Sequence, residues 1–356
     1  MITERIKELR KVLEDNTAFI VTSNENRFYL SGFNSSAGCV VITKNTATLL
    51  IDFRYFEKAS AKVSHLNVKL CTKLYDDIKE ILKAENIKNV QVETSSVTFN
   101  QFAQMKKALA DFNISEEPIL SRRLCELRQI KTPQEIELIK EAQKITDDAF
   151  SYILNHIKTG KTEREITLEL EFFMRKQGSE GVAFETIAVS GKNSSLPHGV
   201  PTDKPLCDGN FLTLDFGAVF GGYRSDMTRT VALGFVTDEQ KQIYDIVLKA
   251  QTETLKAIKP SKPCCEIDKV ARDIISDSGY GEYFGHGLGH SVGIEIHESP
   301  ACNTRDTTPL KKGMIMTVEP GIYLPNKFGV RIEDMVVVTD DGIENLTKSP
   351  KGLMIF

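Results

Sequence analysis

The sequence predicts an α/β domain followed by an α+β domain whose sheet is mostly antiparallel. In the first third of the chain, short apolar strands alternate with amphipathic helical patterns, which is typical of a sheet covered by helices. In the remainder, long helical patterns stand apart from groups of strands joined by tight turns, which indicates helices packed beside an antiparallel sheet. A length of 356 residues is sufficient for both domains.

The composition of the chain argues against two classes of binding partner, nucleic acids and membranes. The chain is 41% hydrophobic and 26% charged, as in an ordinary globular protein, and its net charge of −4 comes without a long basic run. Nucleic acid is therefore not expected as a partner. No apolar run reaches the ~18 residues that a membrane span needs, so no membrane partner is expected. Seven scattered cysteines, none in a Cys-x-x-Cys pair, are typical of reduced thiols and predict a cytoplasmic location.

The first domain is predicted to span residues 1–120. An apolar stripe at Ile2, Ile6, Leu9 and Leu13 predicts an N-terminal amphipathic helix rather than a signal peptide. The elements expected after it are strands at 18–22, 39–43, 47–52 and 90–93, with helices from 54, at 76–84 and at 100–110. No glycine-rich phosphate loop follows any of these strands, so no nucleotide site is expected.

A linker is predicted at 121–131, where arginines and glutamates interrupt the apolar period, and the second domain is predicted at 132–356. Thr132, with Pro133 after it and Glu135 three residues on, is a helix start with a capping-box spacing. That helix is expected to continue to about Ile157.

Later elements of the second domain follow from the same signals. Another helix is expected from Thr162, again with a glutamate three residues later. Strands are expected from Glu185, two helices between Thr237 and Ser278, and strands again at the end of the chain. The expected final strands are 314–318, 330–333 and 335–338.

One hairpin carries two acidic residues. The stretch 210–230 holds two β-rich runs around Gly221-Gly222, a pair typical of a tight turn. A turn centred there pairs Asp215 with Thr228, and it places Asp226 on the same face as Asp215. Two buried carboxylates on one face repel each other unless a cation or a proton compensates them, so a metal site is one interpretation. A solvated face, or ion pairs to Arg224 or Arg229, is the other.

Further candidate ligands lie downstream. The histidines concerned are His198, His286, His290 and His297. His286 and His290 are four residues apart, but the glycines between them argue against a helical zinc motif. Glu319 ends an apolar strand, and Glu333 follows Arg331 by two residues, so an Arg331–Glu333 ion pair is the alternative to a ligand role there. Oxygen-rich ligands without thiolate favour Mn²⁺, Co²⁺, Fe²⁺ or Zn²⁺ pairs.

Taken together, these residues resemble the metal ligands of the aminopeptidase P and prolidase family, "pita-bread" metallopeptidases that cleave Xaa-Pro bonds. The residues that carry the resemblance are Asp215, Asp226, His290, Glu319 and Glu333, in that order, with the strings 196–199, 215–217, 225–229, 285–290, 297–300, 318–321 and 330–334. The resemblance covers nearly the whole chain, since the first domain is similar to a creatinase-type N-terminal domain. Ser291 is a small departure, because a glycine often follows the metal histidine.

The resemblance implies a site with two divalent ions, Mn²⁺ being favoured. It assigns Asp215 to one ion, Asp226 and Glu333 to both, and His290 with Glu319 to the other. It further implies that Glu319 shuttles a proton, and that His198 and His297 contact the scissile amide and the reaction intermediate. His286, Tyr323 and Arg331 would then be substrate-binding residues, with His286 lining the substrate side and support of a neighbouring ligand as the alternative role for Tyr323 and Arg331. Proline-containing peptides are the implied partners, and a homodimer the implied assembly.

Three alternatives share parts of this pattern. A creatinase-like amidinohydrolase would have the fold without metal, whereas a non-catalytic relative would be expected to lose ligands. A methionine aminopeptidase would share the second domain and its ligands but would usually lack the first domain. The five intact ligand positions and the additional domain favour a Xaa-Pro aminopeptidase or Xaa-Pro dipeptidase. The sequence does not decide between these two activities.

Overall fold

The computed structural model describes residues 2–356, which form two compact units. The first unit ends at Arg128, and the second is Gln129–Phe356. The predicted domain limits, 120 and 132, lie on either side of this point. Most of the predicted linker is helical, because a helix spans Ile119–Gln129. Its arginines and glutamates dilute the apolar pattern, which leaves Leu120 and Leu124 as its buried residues.

The first unit is a sheet with helices between its strands. Its strands are β1 (Thr17–Val21), β2 (Cys39–Ile42), β3 (Ala47–Ile51), β4 (Asn67–Leu70), β5 (Asn89–Val92) and β6 (Asn113–Ser115). Its helices are α1 (Ile2–Arg10), α2 (Asn24–Ser31), α3 (Phe53–Lys62), α4 (Leu74–Ala84), α5 (Phe99–Ala108) and α6 (Ile119–Gln129). The strand order is β4-β3-β2-β1-β5-β6, and the pairs around β2 are antiparallel while the others are parallel. This arrangement confirms the predicted α/β class.

Besides α6, three elements of the first unit were not predicted. Helix α2 has little apolar period, and its ends are instead defined by the Ser23 side chain, which accepts a hydrogen bond from Asn26, and by left-handed Gly32. Strands β4 and β6 are short strands at the two edges of the sheet, and β4 is largely exposed. Edge strands need little apolar sequence, so the pattern does not reveal them.

The second unit contains the helices α7 (Pro133–Ile153), α8 (Glu163–Lys176), α9 (Asp238–Ala257) and α10 (Cys264–Asp277). The capping boxes predicted at Thr132 and Thr162 are both formed. Helix α7 ends at Ile153 rather than at Ile157, because a turn begins there, in which His156 N–H donates to the Ile153 carbonyl. Ile157 is nevertheless buried, which explains why the apolar period continues past the helix. Across residues 2–356, no helix is both long and apolar enough to cross a membrane.

The strands of the second unit pair antiparallel, which confirms the predicted class. They are β7 (Ile187–Ser190), β8 (Phe211–Phe216), β9 (Val219–Phe220), β10 (Tyr223–Arg224), β11 (Met227–Ala232), β12 (Gly289–Ser291), β13 (Glu298–Cys302), β14 (Ile315–Val318), β15 (Gly321–Leu324), β16 (Phe328–Arg331), β17 (Asp334–Val338) and β18 (Ile343–Asn345). They form the groups β11-β8-β7, β14-β17-β18, β15-β16, β12-β13 and β9-β10. One apolar core lies where α7 and α8 pack on β8 and β11, and another where α9 and α10 pack on β14 to β17.

The predicted hairpin has the predicted register. Asp215 pairs with Thr228 across β8 and β11, and the turn glycines have φ of +56° at Gly221 and +77° at Gly222. Positive φ at both central residues is the requirement of a type I′ turn, which glycine meets without strain. Between the paired segments the backbones come very close, since a Cβ added to Gly217 would lie 2.0 Å from the carbonyl oxygen of Ser225. The glycine is therefore needed for the two acidic strands to approach.

Replacing Gly217 by alanine should destabilise the second unit. The added methyl group overlaps backbone, which cannot rotate away, so we expect a loss of about 1–3 kcal/mol in the free energy of unfolding. Gly342→Ala is the matched control, because nothing lies within 4 Å of a Cβ there. Denaturant unfolding of the metal-free proteins measures both. Equal stability of the two variants would contradict the close approach.

Candidate metal centre

A cavity of about 960 Å³ opens in the second unit. All of the predicted ligands and histidines contribute to its wall, together with the segments 184–187, 197–201 and 303–305. The acidic residues lie at points where regular strand pairing ends. Asp215 is near the end of β8, Asp226 directly precedes β11, and Glu319 and Glu333 lie in the short breaks after β14 and β16. Side chains at such breaks can turn out of the sheet towards one point.

Three carboxylates form the centre of the cluster. One oxygen from each of Asp215, Asp226 and Glu333 lies within 4.8 Å of the others. All three residues are buried, with exposed fractions of 9%, 5% and 2%. The hairpin register supplies two of them, and the Glu333 N–H donates to the Thr228 carbonyl at 3.1 Å, which brings the third beside the hairpin.

His290 joins this cluster to Glu319. The Nε2 atom of His290 is 3.6 Å from Asp226 Oδ2 and 3.4 Å from Glu319 Oε1. The other ring nitrogen, Nδ1, lies 3.2 Å from the Ser291 carbonyl oxygen, which can only accept a hydrogen bond. Nδ1 therefore carries the proton, and Nε2 presents its lone pair to the cluster, as a metal-ligating histidine must. Thr317 Oγ1 donates to Glu319 at 3.1 Å and accepts from the His290 N–H at 3.0 Å, which ties the two residues together.

The electrostatics of the cluster are unfavourable without a cation. Burial, and then the neighbouring Asp215 and Glu319, raise the pKa of Asp226 well above its usual range. Burial, and then Asp226 and Glu319, do the same to the pKa of Glu333. Burial also raises the pKa of Glu319 and lowers the pKa of His290, which keeps the imidazole neutral. The site thus combines neutral imidazole with carboxylates that resist ionisation on their own.

The donor set fits divalent metal ions. Asp215 Oδ1 and Glu333 Oε1 are buried and have no hydrogen-bond partner within residues 2–356. A buried carboxylate oxygen without a donor is costly, and a bound cation removes that cost. Four carboxylates and one imidazole form a hard, oxygen-rich set that suits a pair of divalent first-row ions.

Arg331 is the cation that contacts the cluster. Its Nη2 atom is 2.5 Å from Asp215 Oδ2, and Nη1 donates to Tyr323 Oη at 2.8 Å and to the Pro197 carbonyl at 3.1 Å. Nε donates to Thr228 Oγ1 at 3.0 Å, and that hydroxyl in turn donates to Glu333 Oε2 at 2.8 Å. Arg331 therefore neutralises and orients Asp215, while it acts on Glu333 only through a hydroxyl.

This geometry corrects two ion-pair alternatives. Within residues 2–356, Arg331 forms no ion pair with Glu333, because the strand ends at Arg331 and the two side chains no longer share a face. Arg229 does not pair with the hairpin aspartates either, since its guanidinium is 2.8 Å from Asp334. Arg224 donates to the Ala183 carbonyl.

The remaining predicted residues surround the cluster. His286 Nε2 is 2.9 Å from Tyr323 Oη, and its Nδ1 is 2.8 Å from the Gly287 carbonyl oxygen. The Tyr323 hydroxyl therefore donates to His286 while it accepts from Arg331, and burial raises the tyrosine pKa to about 12. His297 packs edge-on against His290 with ring centroids 4.5 Å apart, and His198 is exposed in the cavity wall. The roles assigned to these four residues in substrate binding and catalysis stay predictions.

Two residues near the site were missed in the sequence. Lys131 is buried behind the histidines, where its Nζ donates to Ser291 Oγ at 2.8 Å and to Glu298 at 3.2 Å. Arg305 is exposed on the cavity wall and forms no ion pair within residues 2–356. Lys131 could not be found because its partners are more than 150 residues away. The available signal for Arg305 was its place in a polar loop shortly before β14, the strand that Glu319 follows.

Comparison with protein families agrees with this site. Residues 137–340 match the model of metallopeptidase family M24, and residues 5–125 match the creatinase/prolidase N-terminal domain. Together the two matches cover both units and include all five candidate ligands.

Individual relatives extend over the whole chain. The Xaa-Pro dipeptidase of Pyrococcus horikoshii is 38% identical over 357 residues, which is 99% of each chain. The structure of a Xaa-Pro dipeptidase from Bacillus anthracis superimposes with a TM-score of 0.96 at 42% identity, covering 100% of both chains. The X-Pro aminopeptidase from Thermotoga maritima superimposes with a TM-score of 0.92 at 37% identity, covering 99% of both chains. Both kinds of exopeptidase thus share this fold.

Metal content provides the first test of the site. Asp226→Asn and Glu333→Gln each remove a charge at the centre of the cluster, so we expect both to lower bound metal and to abolish turnover. Elemental analysis after purification and dialysis measures the metal, with Glu344→Gln as a control because that residue is half-exposed and outside the cavity. Two full equivalents of metal with a near-normal rate in either variant would exclude the assignment.

A pH series tests the repulsion among the carboxylates. Because the pKa of Glu333 is raised in the folded state, its contribution to stability is present below the ordinary carboxyl pKa of ~4 and is lost as pH rises through the raised value. Metal-free Glu333→Gln should therefore be more stable than the metal-free parent at pH 7, and the difference should shrink towards pH 4. Thermal unfolding at both pH values measures this. A constant difference would contradict the raised pKa.

Proposed function

The chain belongs to metallopeptidase family M24, and from this premise we propose that it hydrolyses Xaa-Pro bonds at the free N-terminus of dipeptides or short peptides. The observation that carries the proposal is the cluster of Asp215, Asp226, His290, Glu319 and Glu333 at the wall of a cavity large enough for a small peptide. Relatives that match over 99% or more of the chain include proteins named as Xaa-Pro dipeptidases, which supports the same substrate class.

The five clustered residues would hold two divalent ions, and we propose Mn²⁺ as the native metal ahead of Co²⁺, Zn²⁺ or Fe²⁺. When bound, such ions act as Lewis acids towards the scissile carbonyl and activate water for attack. The chain's part is to orient the carboxylates. Arg331 does so for Asp215, and Thr228 and Thr317 do so for Glu333 and Glu319 through single hydrogen bonds.

Glu319 is proposed to carry the proton from the attacking water to the departing proline nitrogen. Its side chain is half-buried at the cavity wall, and burial raises its pKa, so it accepts a proton more readily than an exposed glutamate does. His198 and His297 are proposed to donate to the substrate carbonyl oxygen. Burial, and then the neighbouring His290 and His198, lower the pKa of His297. A neutral imidazole still has one N–H to donate.

Selectivity for proline has a physical basis in this cavity. A Xaa-Pro bond lacks the amide hydrogen, and the ring fixes φ near −65°, so a rigid site can hold it at small entropic cost. The free α-ammonium group is attracted by the acidic cluster. We propose that His286 and Tyr323 shape the substrate side, because they are joined to each other and to Arg331 by hydrogen bonds. Arg331 is 3% exposed with every guanidinium nitrogen engaged, so we propose that it supports this wall from behind.

Arg305 provides a reason to favour dipeptides. It is the arginine on the cavity wall that has no carboxylate partner within residues 2–356, since Arg272 pairs with Asp268 and Arg331 with Asp215. A guanidinium without a partner can bind the C-terminal carboxylate of a short substrate through two hydrogen bonds. We therefore propose dipeptidase activity ahead of aminopeptidase activity.

The alternative functions meet specific obstacles. A metal-free amidinohydrolase or a non-catalytic relative has no need of five intact candidate ligands, two of which, Asp215 and Glu333, have a buried oxygen without a hydrogen-bond partner. A methionine aminopeptidase usually lacks the first domain, which is present here as residues 5–125. By the same family resemblance we propose a homodimer located in the cytoplasm, and light scattering of the purified chain tests the assembly.

A peptide panel tests the function. Metal-free enzyme is given Mn²⁺, Co²⁺ or Zn²⁺ in turn and assayed on Ala-Pro, Ala-Ala, acetyl-Ala-Pro and Ala-Pro-Ala. We expect cleavage of Ala-Pro above the others and none of the acetylated peptide, because acetylation removes the ammonium charge. Comparable kcat/KM for Ala-Pro, Ala-Ala and acetyl-Ala-Pro would refute the proposal. Faster cleavage of Ala-Pro-Ala than of Ala-Pro would assign the aminopeptidase activity instead.

His198→Ala and His297→Ala should keep metal and lose rate. Each removes a hydrogen bond to the reacting carbonyl, which typically costs about 10²–10³ in kcat. His156→Ala is the matched control, because that histidine lies in the same unit outside the cavity. Steady-state kinetics combined with elemental analysis distinguishes the roles. Loss of metal in either cavity variant would make that histidine a ligand.

Arg305→Gln should discriminate between substrates with and without a terminal carboxylate. Loss of a charge-assisted pair is expected to lower kcat/KM for Ala-Pro by about 10- to 100-fold. Ala-Pro amide, which has no carboxylate, serves as the control substrate and should be affected little. The same loss on both substrates would show that Arg305 does not recognise the C-terminus.

A further inference from the structure

The loop that carries His198 spans residues 190–202 and covers one side of the cavity. Residues 197–201 contribute to the cavity wall, and His198 itself is exposed there. The loop begins at the end of β7 and continues through a 3-10 turn at Gly191–Ser195. A loop of this kind has no strand partner along most of its length, so its position depends on a few side-chain contacts.

A single buried carboxylate contacts both ends of this loop. Glu163, the first residue of α8, has an exposed fraction of 0%. Its Oε1 atom accepts from the N–H and the hydroxyl of Ser190, at 2.7 and 3.0 Å. Its Oε2 atom accepts from the N–H and the hydroxyl of Thr202, at 3.0 and 2.8 Å. The side-chain amide of Asn193 donates to both oxygens, at 3.3 and 3.0 Å.

The donors around Glu163 suit a buried carboxylate anion. Every partner donates, so Glu163 serves only as an acceptor, and the donors compensate the cost of burying its charge. The position at the start of a helix adds the favourable field of the helix N-terminus. Glu163 lies outside the cavity wall, so it touches neither the candidate ligands nor a bound peptide.

The opposite side of the loop is held by the residues around the metal centre. Arg331 Nη1 donates to the Pro197 carbonyl at 3.1 Å, and the Gly329 N–H donates to Ser194 Oγ at 3.0 Å. The loop is therefore fixed from two directions, by Glu163 at its ends and by β16 in its middle. Without the Glu163 carboxylate, the ends would keep the strand pairing of Ser190 with Leu212 and the bond from the Arg164 N–H to the Thr202 carbonyl at 3.1 Å. They would lose the one group that contacts both ends at once.

We propose that Glu163 is a positioning residue, which sets the place of His198 over the cavity by binding both ends of the loop 190–202. The inference rests on the proposed function only for its kinetic consequence. It predicts that Glu163 affects the rate through His198, without contacting substrate or metal.

The test compares Glu163→Gln with Glu165→Gln in the full-length, metal-loaded protein. Glutamine has nearly the same shape as glutamate. Its side-chain NH2 group, however, would point at hydrogen-bond donors in the place where a carboxylate oxygen accepts from them. Glu165 lies in the same helical turn and its hydrogen bonds go to Thr162, where glutamine can replace it in the capping box. Hydrogen exchange with mass spectrometry is expected to show faster exchange in 190–202 for Glu163→Gln alone. Unchanged exchange in that loop would overturn the proposal.

Kinetics separate positioning from a general structural role. Glu163→Gln should keep its metal and lose about 10- to 100-fold in kcat/KM on Ala-Pro, as for a catalytic group displaced by roughly 1 Å. In the His198→Ala background the same change should cost less than about two-fold, because its effect passes through that histidine. An equal loss in both backgrounds would overturn the proposal. Absence of Ala-Pro cleavage by the parent enzyme would refute the substrate assignment, while the exchange measurement would still decide the role of Glu163.

If Glu163→Gln does not fold, Thr202→Val provides the milder change. It removes one hydroxyl donor and keeps the backbone N–H at the same end of the loop. Faster exchange confined to 190–202, with a smaller loss of rate that again disappears in the His198→Ala background, supports the proposal. A loss of rate without any change in exchange overturns it.

Discussion

The second unit depends on how the negative charge of its buried carboxylates is compensated. Four carboxylates converge in a buried space, and one guanidinium, that of Arg331, contacts them directly. Their mutual repulsion and their burial raise the pKa values of Asp226, Glu319 and Glu333. A fold that holds such a cluster without its ions stores unfavourable free energy, and the binding of divalent cations releases it. Relief of this repulsion therefore contributes to the affinity of the cluster for metal.

The scaffold meets this constraint by interrupting its strands. A continuous strand would send alternate side chains to opposite faces and could not bring four acids to one point. Here the acidic residues occur where pairing stops, before β11 and after β14 and β16, and the close backbone contact at Gly217 brings the hairpin strands together. Hydroxyl groups of Thr228 and Thr317 then fix individual carboxylate oxygens. The breaks that weaken the sheet are the same features that create the site.

Much of this could be predicted from local sequence. The Gly221-Gly222 pair was sufficient for the hairpin register, because a two-residue turn leaves one pairing, and the capping boxes located the starts of α7 and α8. Acidic residues in otherwise apolar strands indicated candidate ligands, and the resemblance to the aminopeptidase P and prolidase family implied the set of five. Side-chain partners across long separations could not be predicted. Arg331 pairs with Asp215 and not with Glu333, and Lys131 is buried against Glu298. Both contacts depend on packing between segments that share no local pattern.

The buried pair of Lys131 and Glu298 has a consequence for where the catalytic unit can be cut. Lys131 lies just before α7, and its backbone N–H also donates to the Gly313 carbonyl at 2.9 Å. A fragment that starts at the first helical residue would look complete by its secondary structure, yet it would leave Glu298 without that ammonium group directly beside His297. The contacts that complete the second unit therefore begin before its first helix, and a fragment that starts at Pro133 lacks the ammonium group that Glu298 and Ser291 contact.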